Sequence, residues 1–397
     1  MTKAKTLFEK HYYALFFFLF IIAYSCVIPG ELKPWRTDGL TLSYHAVDYS
    51  MGFCSRFLPG AIYNFLFNSI TEEKVSLYSS ALMIIFFAVL SIFLEKFMNN
   101  VSAEYRFTAI VVLLFFLTGP ATFSIYVKVL GMLDVYWVFA AALFIILLSK
   151  KETYFLLFLP FLLCVLNYYV TWLCYIPFFA IITLYKISTL TSKKEKIYLW
   201  ISLIFSLVIA FGLSLYLVIY EKDNLTYTLE EFNEIFNAYG INPEYYTISM
   251  YYQVQDTAYV GDIFTELFIR LKINLKMADI ENKIPLFLLI TPIVTFIYSF
   301  FFKQIKQCKE RLKQLSYLCM ILLFAGTMII SLIATTDLIR WTGHAFLPLF
   351  TSMLYVLYKE GDSAWIYIKE NLGKYSLPTL LIYLLFYASV VYDPYFV

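Results

Sequence analysis

The sequence predicts an all-α, polytopic integral membrane protein with about 11 transmembrane helices, and two observations support this. Hydrophobic residues make up 61% of the chain and charged residues only 15%, whereas a soluble domain carries about 25% charged residues. The apolar residues also form many long runs separated by short loops, and ~20 apolar residues are enough for a helix to cross a bilayer. Helices are expected because a segment in lipid must satisfy its own backbone hydrogen bonds.

The apolar runs give the boundaries of these spans. The expected spans cover residues 12–30, 75–94, 107–118, 131–149, 153–167, 168–187, 198–220, 284–302, 315–335, 344–358 and 377–392. The run from 153 to 187 is too long for one span, so we expect a tight helical hairpin that breaks at Asn167-Tyr168-Tyr169. With the N-terminus inside, most of the 30 Lys and Arg residues fall on the inner side, as the positive-inside rule requires. An odd number of spans then places the C-terminus outside.

The chain is predicted to form a single transmembrane domain, residues 1–397, with two long outer loops. The first loop, residues 31–74, contains an apolar stretch at 57–67 that is too short to span and is predicted to be an interfacial helix. The second loop, residues 221–283, ends in an amphipathic stretch at 262–276. Its apolar face predicts a helix that lies in the membrane surface.

Several classes of function lack their sequence signals. The chain has no Walker loop, no dinucleotide-binding glycine pattern, no His-Glu-x-x-His and no Gly-x-Ser-x-Gly, so soluble nucleotide-dependent chemistry has no support. No basic cluster is interleaved with aromatic residues, which argues against nucleic acid as a partner. The six cysteines show no metal-ligand spacing and are expected to be mostly buried thiols.

Polar residues at membrane boundaries are costly and are therefore candidates for function. In the predicted topology the candidates share the outer side of the membrane. They are Asp38, Asp48, Arg56, Lys128, Asp134, Tyr168, Asp337, Arg340, Trp341 and His344. Because they come from distant segments of the chain, we expect them to converge at one outer pocket.

Each candidate also has a purely structural interpretation. Asp38 fits a turn, and Asp48 fits the N-cap of a helix. Arg56 fits an anchor among lipid head groups. Asp337 and Arg340, three residues apart, fit a private ion pair. Histidines near span ends are more often loop or cap residues than ligands, and boundary Tyr and Trp residues are mostly interface anchors.

The layout resembles the GT-C superfamily of membrane glycosyltransferases and the related bacterial polysaccharide polymerases. The resemblance rests on Asp38 and Asp48 in the first outer loop, the interfacial stretch after Arg56, and the outer segment Asp337-Leu338-Ile339-Arg340-Trp341. Proteins of this superfamily use sugars carried on polyprenyl phosphate at the outer face of the membrane. The resemblance therefore implies a polyprenyl-linked saccharide and a glycan acceptor as partners, in the plasma membrane of a bacterium.

The resemblance and the chemistry of glycosyl transfer together imply roles for the candidates. Asp48, or Asp38 as the alternative, is expected to act as the base on the acceptor hydroxyl. Arg56 and Arg340 are expected to hold the leaving phosphate, and outer Tyr and Trp side chains to stack on sugar rings. Some members of the superfamily need a divalent cation, Mg²⁺ or Mn²⁺. The first loop has no strict Asp-x-Asp or Glu-x-Asp pair, so no residue is assigned to a metal.

The alternative function is a transporter or flippase for a lipid-linked saccharide or another amphiphile. Such a protein needs charged residues near the bilayer midplane with access from both sides, whereas the candidates here gather at one face. A third class is a non-catalytic membrane subunit or an acyltransferase-like protein. The midplane histidine of membrane acyltransferases has no counterpart, because His11, His45 and His344 all lie near predicted membrane boundaries.

Overall fold

The computed structural model describes residues 11–27, 35, 37, 39–118, 130–241, 251, 277–334 and 338–372. Within these ranges every regular element is a helix, which confirms the predicted all-α fold class. The α-helices are, in chain order, α1 (Tyr12–Val27), α2 (Gly39–Ala46), α3 (Leu58–Leu66), α4 (Glu72–Asn99), α5 (Arg106–Thr118), α6 (Leu133–Leu148), α7 (Phe158–Asn167), α8 (Tyr175–Thr189), α9 (Lys193–Asn224), α10 (Leu229–Ala238), α11 (Met277–Gln307), α12 (Arg311–Ala334), α13 (Leu338–Glu360) and α14 (Asp362–Leu372).

Three helices in the described part of the chain are long and apolar enough to cross a membrane. The apolar stretches are Glu72–Asn99 in α4, Lys193–Glu221 in α9 and Arg311–Ser331 in α12. Shorter apolar helices occupy Tyr12–Cys26, Leu133–Leu148 and Tyr175–Thr189. These helices support membrane association, while the count of eleven spans stays a prediction. The predicted span at 377–392 and the amphipathic stretch at 262–276 lie outside the described residues.

The chain folds into two compact units. The terminal unit contains Met1–Pro34, Leu82–Lys128 and Arg270–Val397, and the central unit contains Trp35–Ala81 and Val129–Ile269. The single transmembrane domain expected from the sequence stays a prediction. Helix α4 contributes its beginning to the central unit and the rest to the terminal unit.

An aromatic core joins α6, α7 and α8 of the central unit. Phe144 of α6 stacks on Phe179 of α8 with ring centroids 4.5 Å apart, and Phe161 of α7 meets Phe179 edge-on at 5.2 Å. All three side chains are buried, so their ring contacts hold the three helices together. Helix α9 packs along α7 and contacts α8.

The chain breaks between α7 and α8 at the predicted place. Helix α7 ends at Asn167, the backbone is extended at Tyr168, and a 3-10 helix covers Tyr169–Leu173 before α8 begins. Another 3-10 helix, Lys151–Leu156, precedes α7. Helix α7 has only 10 residues, so it is about 15 Å long. The predicted span at 153–167 is therefore not one continuous α-helix.

Helix α3 occupies the apolar stretch that was predicted at 57–67. Its start is buried at Leu58, and Tyr63 is fully buried. Its last residues turn outward, with Phe65 88% and Leu66 56% exposed. Exposed apolar side chains at the end of a short helix are what an interfacial helix requires. The interfacial position itself stays a prediction.

The terminal unit contains a helix, α14, that the sequence did not predict. Helix α12 packs against α11 and α13, and the additional helix α14 packs against α5, α11 and α13. The sequence predicts an inner loop between the spans at 344–358 and 377–392, but α14 lies within it. Its Ala364, Trp365 and Ile368 are buried, at the spacing of one helix face. The segment is helical because this apolar face packs against α5, α11 and α13.

The length of α9 makes the topology testable. Helix α9 has 32 residues and is therefore about 48 Å long, more than the ~30 Å hydrocarbon core. A spanning α9 must place its two ends on opposite sides of the membrane. Thr191 precedes α9 and Asp223 lies in its last turn, and both are exposed.

We expect a membrane-impermeant thiol reagent to label Asp223→Cys in intact cells. The same reagent should label Thr191→Cys only after the membrane is permeabilised. A Cys26→Ser background removes the exposed native thiol. Labelling of Thr191→Cys in intact cells would reverse the proposed orientation.

Candidate functional site

Hydrogen bonds fasten the first loop of the central unit to the end of α9. The Met51 carbonyl oxygen accepts from the backbone N–H of Thr226 at 2.9 Å and from its hydroxyl at 2.8 Å. The Asn224 side-chain amide donates to the Phe53 carbonyl at 3.1 Å. Gly52, at φ +137°, lies so close to α9 that a Cβ would stand 2.2 Å from the Asn224 carbonyl oxygen. This close approach therefore requires glycine.

Asp48 caps a short 3-10 helix, Tyr49–Met51, in this loop. Its Oδ1 accepts from the backbone N–H (2.8 Å) and the hydroxyl (2.5 Å) of Ser50, and its Oδ2 accepts from the Asn64 side-chain amide (2.6 Å). The N-cap interpretation is thus confirmed. Burial acts to raise the pKa of Asp48, but the hydrogen bonds from Ser50 and Asn64 outweigh it and lower the pKa. The half-exposed carboxylate is ionised at neutral pH and keeps a free lone pair on Oδ2.

Arg56 lies in the interior of the central unit. The residue is only 5% exposed, which excludes the lipid head-group anchor considered from the sequence. Its backbone takes φ +70°, and its N–H donates to the Asn167 carbonyl at 2.9 Å. The guanidinium carbon stands 4.0 Å from the centroid of the Tyr168 ring. The hairpin break between α7 and α8 therefore supplies both contacts to Arg56.

Glu221, in the last turn of α9, is an acidic residue whose charge acts on Arg56. It is 1% exposed, and its Oε1 accepts from the backbone N–H and the hydroxyl of Ser55, each at 2.5 Å. Burial acts to lower the pKa of Arg56, but Tyr168, Tyr44 and Glu221 raise it above its ordinary value. Sequence reasoning placed Glu221 only as the start of an outer loop. Its position after a long apolar run was the signal that it is buried.

The N-terminal end of α6 meets the same hairpin break. Asp134, in the first turn of α6, is 1% exposed, where the helix dipole favours a negative charge. The Asn167 amide donates to the Leu133 carbonyl at 2.7 Å. The Asn167 Oδ1 and the Thr171 hydroxyl are buried and have no hydrogen-bond partner among the described residues. Asp134 thus lies beside a buried polar region and not at an open surface.

The remaining described candidates belong to the terminal unit. Arg340, Trp341 and His344 lie in the first turns of α13. Arg340 is half-buried, whereas Trp341 and His344 are buried. The Trp341 and His344 rings meet edge-on with their centroids 5.6 Å apart. The predicted meeting of these residues with Asp48 stays a prediction. Asp38, Lys128 and Asp337 lie outside the described residues.

A metal site does not emerge from the described ranges. Within them, no group of three or more His, Cys, Asp or Glu side chains is placed to hold a metal ion. Asp38 and Asp337 are not part of those ranges, so the divalent cation that some GT-C enzymes use keeps no assigned ligand.

Comparison of the chain with protein families, with curated proteins and with solved structures gave no match. The function of the chain is therefore inferred from its residues and their geometry.

Proposed function

We propose that the protein is a membrane glycosyltransferase or polysaccharide polymerase that acts on a polyprenyl-phosphate-linked sugar. The proposed site faces the outside of a bacterial plasma membrane, with the N-terminus in the cytoplasm and the C-terminus outside. The observation that carries the proposal is the setting of Asp48. It is an ionised, half-exposed carboxylate, held by Ser50 and Asn64 in a loop that is fastened to a candidate membrane helix. A carboxylate fixed in this way needs little reorganisation when charge develops beside it.

In the proposed reaction, the acceptor hydroxyl attacks C1 of the donor sugar while the bond from C1 to the phosphate oxygen breaks. The electron pair leaves with the polyprenyl phosphate, and the hydroxyl proton passes to Asp48. Because hydrogen bonds lower its pKa, Asp48 is a weak base. Its contribution is to orient the hydroxyl and to take the proton late, when the new bond has made that hydroxyl acidic.

The burial of Arg56 supports a different role from the phosphate contact expected from the sequence. Its guanidinium lies against Tyr168 in the interior, so we assign it to positioning. The face of the Tyr168 ring under the guanidinium is not open to a sugar. Tyr168 is half-buried, and a substrate would meet its edge or its hydroxyl.

The wild-type protein, purified and reconstituted in liposomes, tests this proposal. We expect polyprenyl-linked sugars and a glycan acceptor to give glycosylated acceptor and polyprenyl phosphate in equal amounts. Chromatography of the radiolabelled lipids would measure both products. Movement of intact lipid-linked saccharide across the bilayer, without release of polyprenyl phosphate, would favour the transporter and contradict the enzyme.

A further inference from the structure

We infer that Glu221 is a positioning residue that forms a compensated buried charge pair with Arg56 and thereby holds the Asp48 loop on α9. Its effect on catalysis rests on the proposed function, whereas its effect on stability does not. Glu221 lies in the last turns of a candidate membrane helix, and Arg56 lies in the loop eight residues after Asp48. The pair thus connects the helix to the segment that carries the proposed base.

The first support is the geometry around Ser55. Two donors of this one residue converge on Glu221 Oε1, the backbone N–H and the hydroxyl. The Cys54 thiol also donates to the Glu221 carbonyl at 3.5 Å. These contacts fix the chain immediately before Arg56 to the end of α9. The Arg56 N–H then bonds to Asn167, so the loop is held from both sides.

The second support is the balance of charge. Arg56 and Glu221 are both almost fully buried, and a buried charge is stable only when it is compensated. The negative charge of Glu221 stabilises the charged form of Arg56, as does the Tyr168 ring. Arg56 also holds φ +70°, a conformation that a non-glycine residue keeps only when its surroundings impose it.

A stability cycle separates charge pairing from hydrogen bonding. Glu221→Gln keeps a carbonyl oxygen for Ser55 and removes only the charge, so we expect a large fall in melting temperature. Arg56→Gln should also lower it, because it leaves Glu221 uncompensated. The double variant, Glu221→Gln with Arg56→Gln, should melt no lower than the worse single variant. If the double variant lost as much melting temperature as the two single variants together, the charge pair would be overturned.

Ser55→Ala is the matched control. It removes one hydrogen bond to Glu221 and leaves both charges in place, so its loss of melting temperature should be much smaller than that of Glu221→Gln. An equal loss would mean that hydrogen bonding, and not charge, fixes the loop. This outcome would also overturn the inference.

The catalytic readout is the division between kcat and KM. We expect Glu221→Gln to lower kcat by about 10²-fold, as a displacement of about 1 Å can do, while the KM for the polyprenyl-linked donor stays unchanged. A change in KM alone would indicate that Glu221 acts on donor binding and would contradict positioning of the base. Absence of transfer by the wild type would overturn the proposed function, and the melting cycle would still decide the charge pair.

Discussion

Asp48→Asn is expected to reduce sugar transfer by about 10²–10⁴-fold, which is the usual contribution of a general base. Asparagine has nearly the same shape as aspartate and is an equally good N-cap, so the 3-10 helix at Tyr49–Met51 should persist. The variant loses the negative charge that orients the acceptor hydroxyl and receives its proton. Transfer from a polyprenyl-linked donor in purified membranes would measure the effect, with expression and melting temperature measured in parallel.

Two other carboxylates provide the controls for this experiment. Asp223→Asn changes an exposed carboxylate at the end of α9 and should leave transfer unchanged. Asp38→Asn should have a mild effect if Asp38 only forms a turn. Transfer like wild type in Asp48→Asn, together with strong loss in Asp38→Asn, would move the base to Asp38. Full activity in both variants would remove the first-loop mechanism and make the transporter the better explanation.

The sequence predicted those helices whose apolar runs are long. Helix α9 covers the span expected at 198–220 and extends beyond it at both ends. Helix α12 begins four residues before the span expected at 315–335 and ends one residue before its end. The hairpin break was also predictable, because residues 153–187 are too many for one span and Asn167 carries the first amide side chain within that run. The length of an apolar run can be read directly from the sequence, and the thickness of the bilayer sets the length that a spanning helix needs.

Short amphipathic helices were missed because hydropathy alone does not reveal them. Helix α10 begins with a capping box in which Thr228 and Glu231 bond to each other's backbone, and the Thr-x-x-Glu pattern was present in the sequence. Its Phe232 and Phe236 are buried, four residues apart. Because charged residues surround these two phenylalanines, the composition of α10 resembles that of a loop.

The partners of the buried charges were not predictable from the sequence. From the sequence, Arg56 was expected to hold the substrate phosphate, with a lipid head-group anchor as the structural alternative. Its guanidinium lies against Tyr168 and its charge interacts with Glu221, and both residues are distant in sequence. Local periodicity carries no information about such pairs, since they depend on how the helices pack.

Gly60→Ala is the second change for which we expect a large effect, and it acts on stability. Gly60 lies in the first turn of α3 and packs against the backbone of the segment before Asp48. A Cβ at this position would stand 1.8 Å from the Val47 carbonyl oxygen and 3.1 Å from that of Tyr44. Both atoms belong to the backbone, so no side-chain rotation can relieve the overlap, and α3 must move away from α2.

Overpacking of a core typically costs about 1–3 kcal/mol, and a backbone overlap at Gly60 should cost at least the upper end of that range. Gly212→Ala is the matched control, because Gly212 lies in α9 with no atom within 4 Å of its added Cβ. Alanine stabilises a helix by up to about 1 kcal/mol relative to glycine, so this variant should melt at or above the wild-type temperature. Thermal unfolding in detergent would compare the two. A Gly60→Ala protein that melts like Gly212→Ala would show that α2 and α3 do not pack closely. The close packing that holds Asp48 between Val47 and Asn64 would then be contradicted.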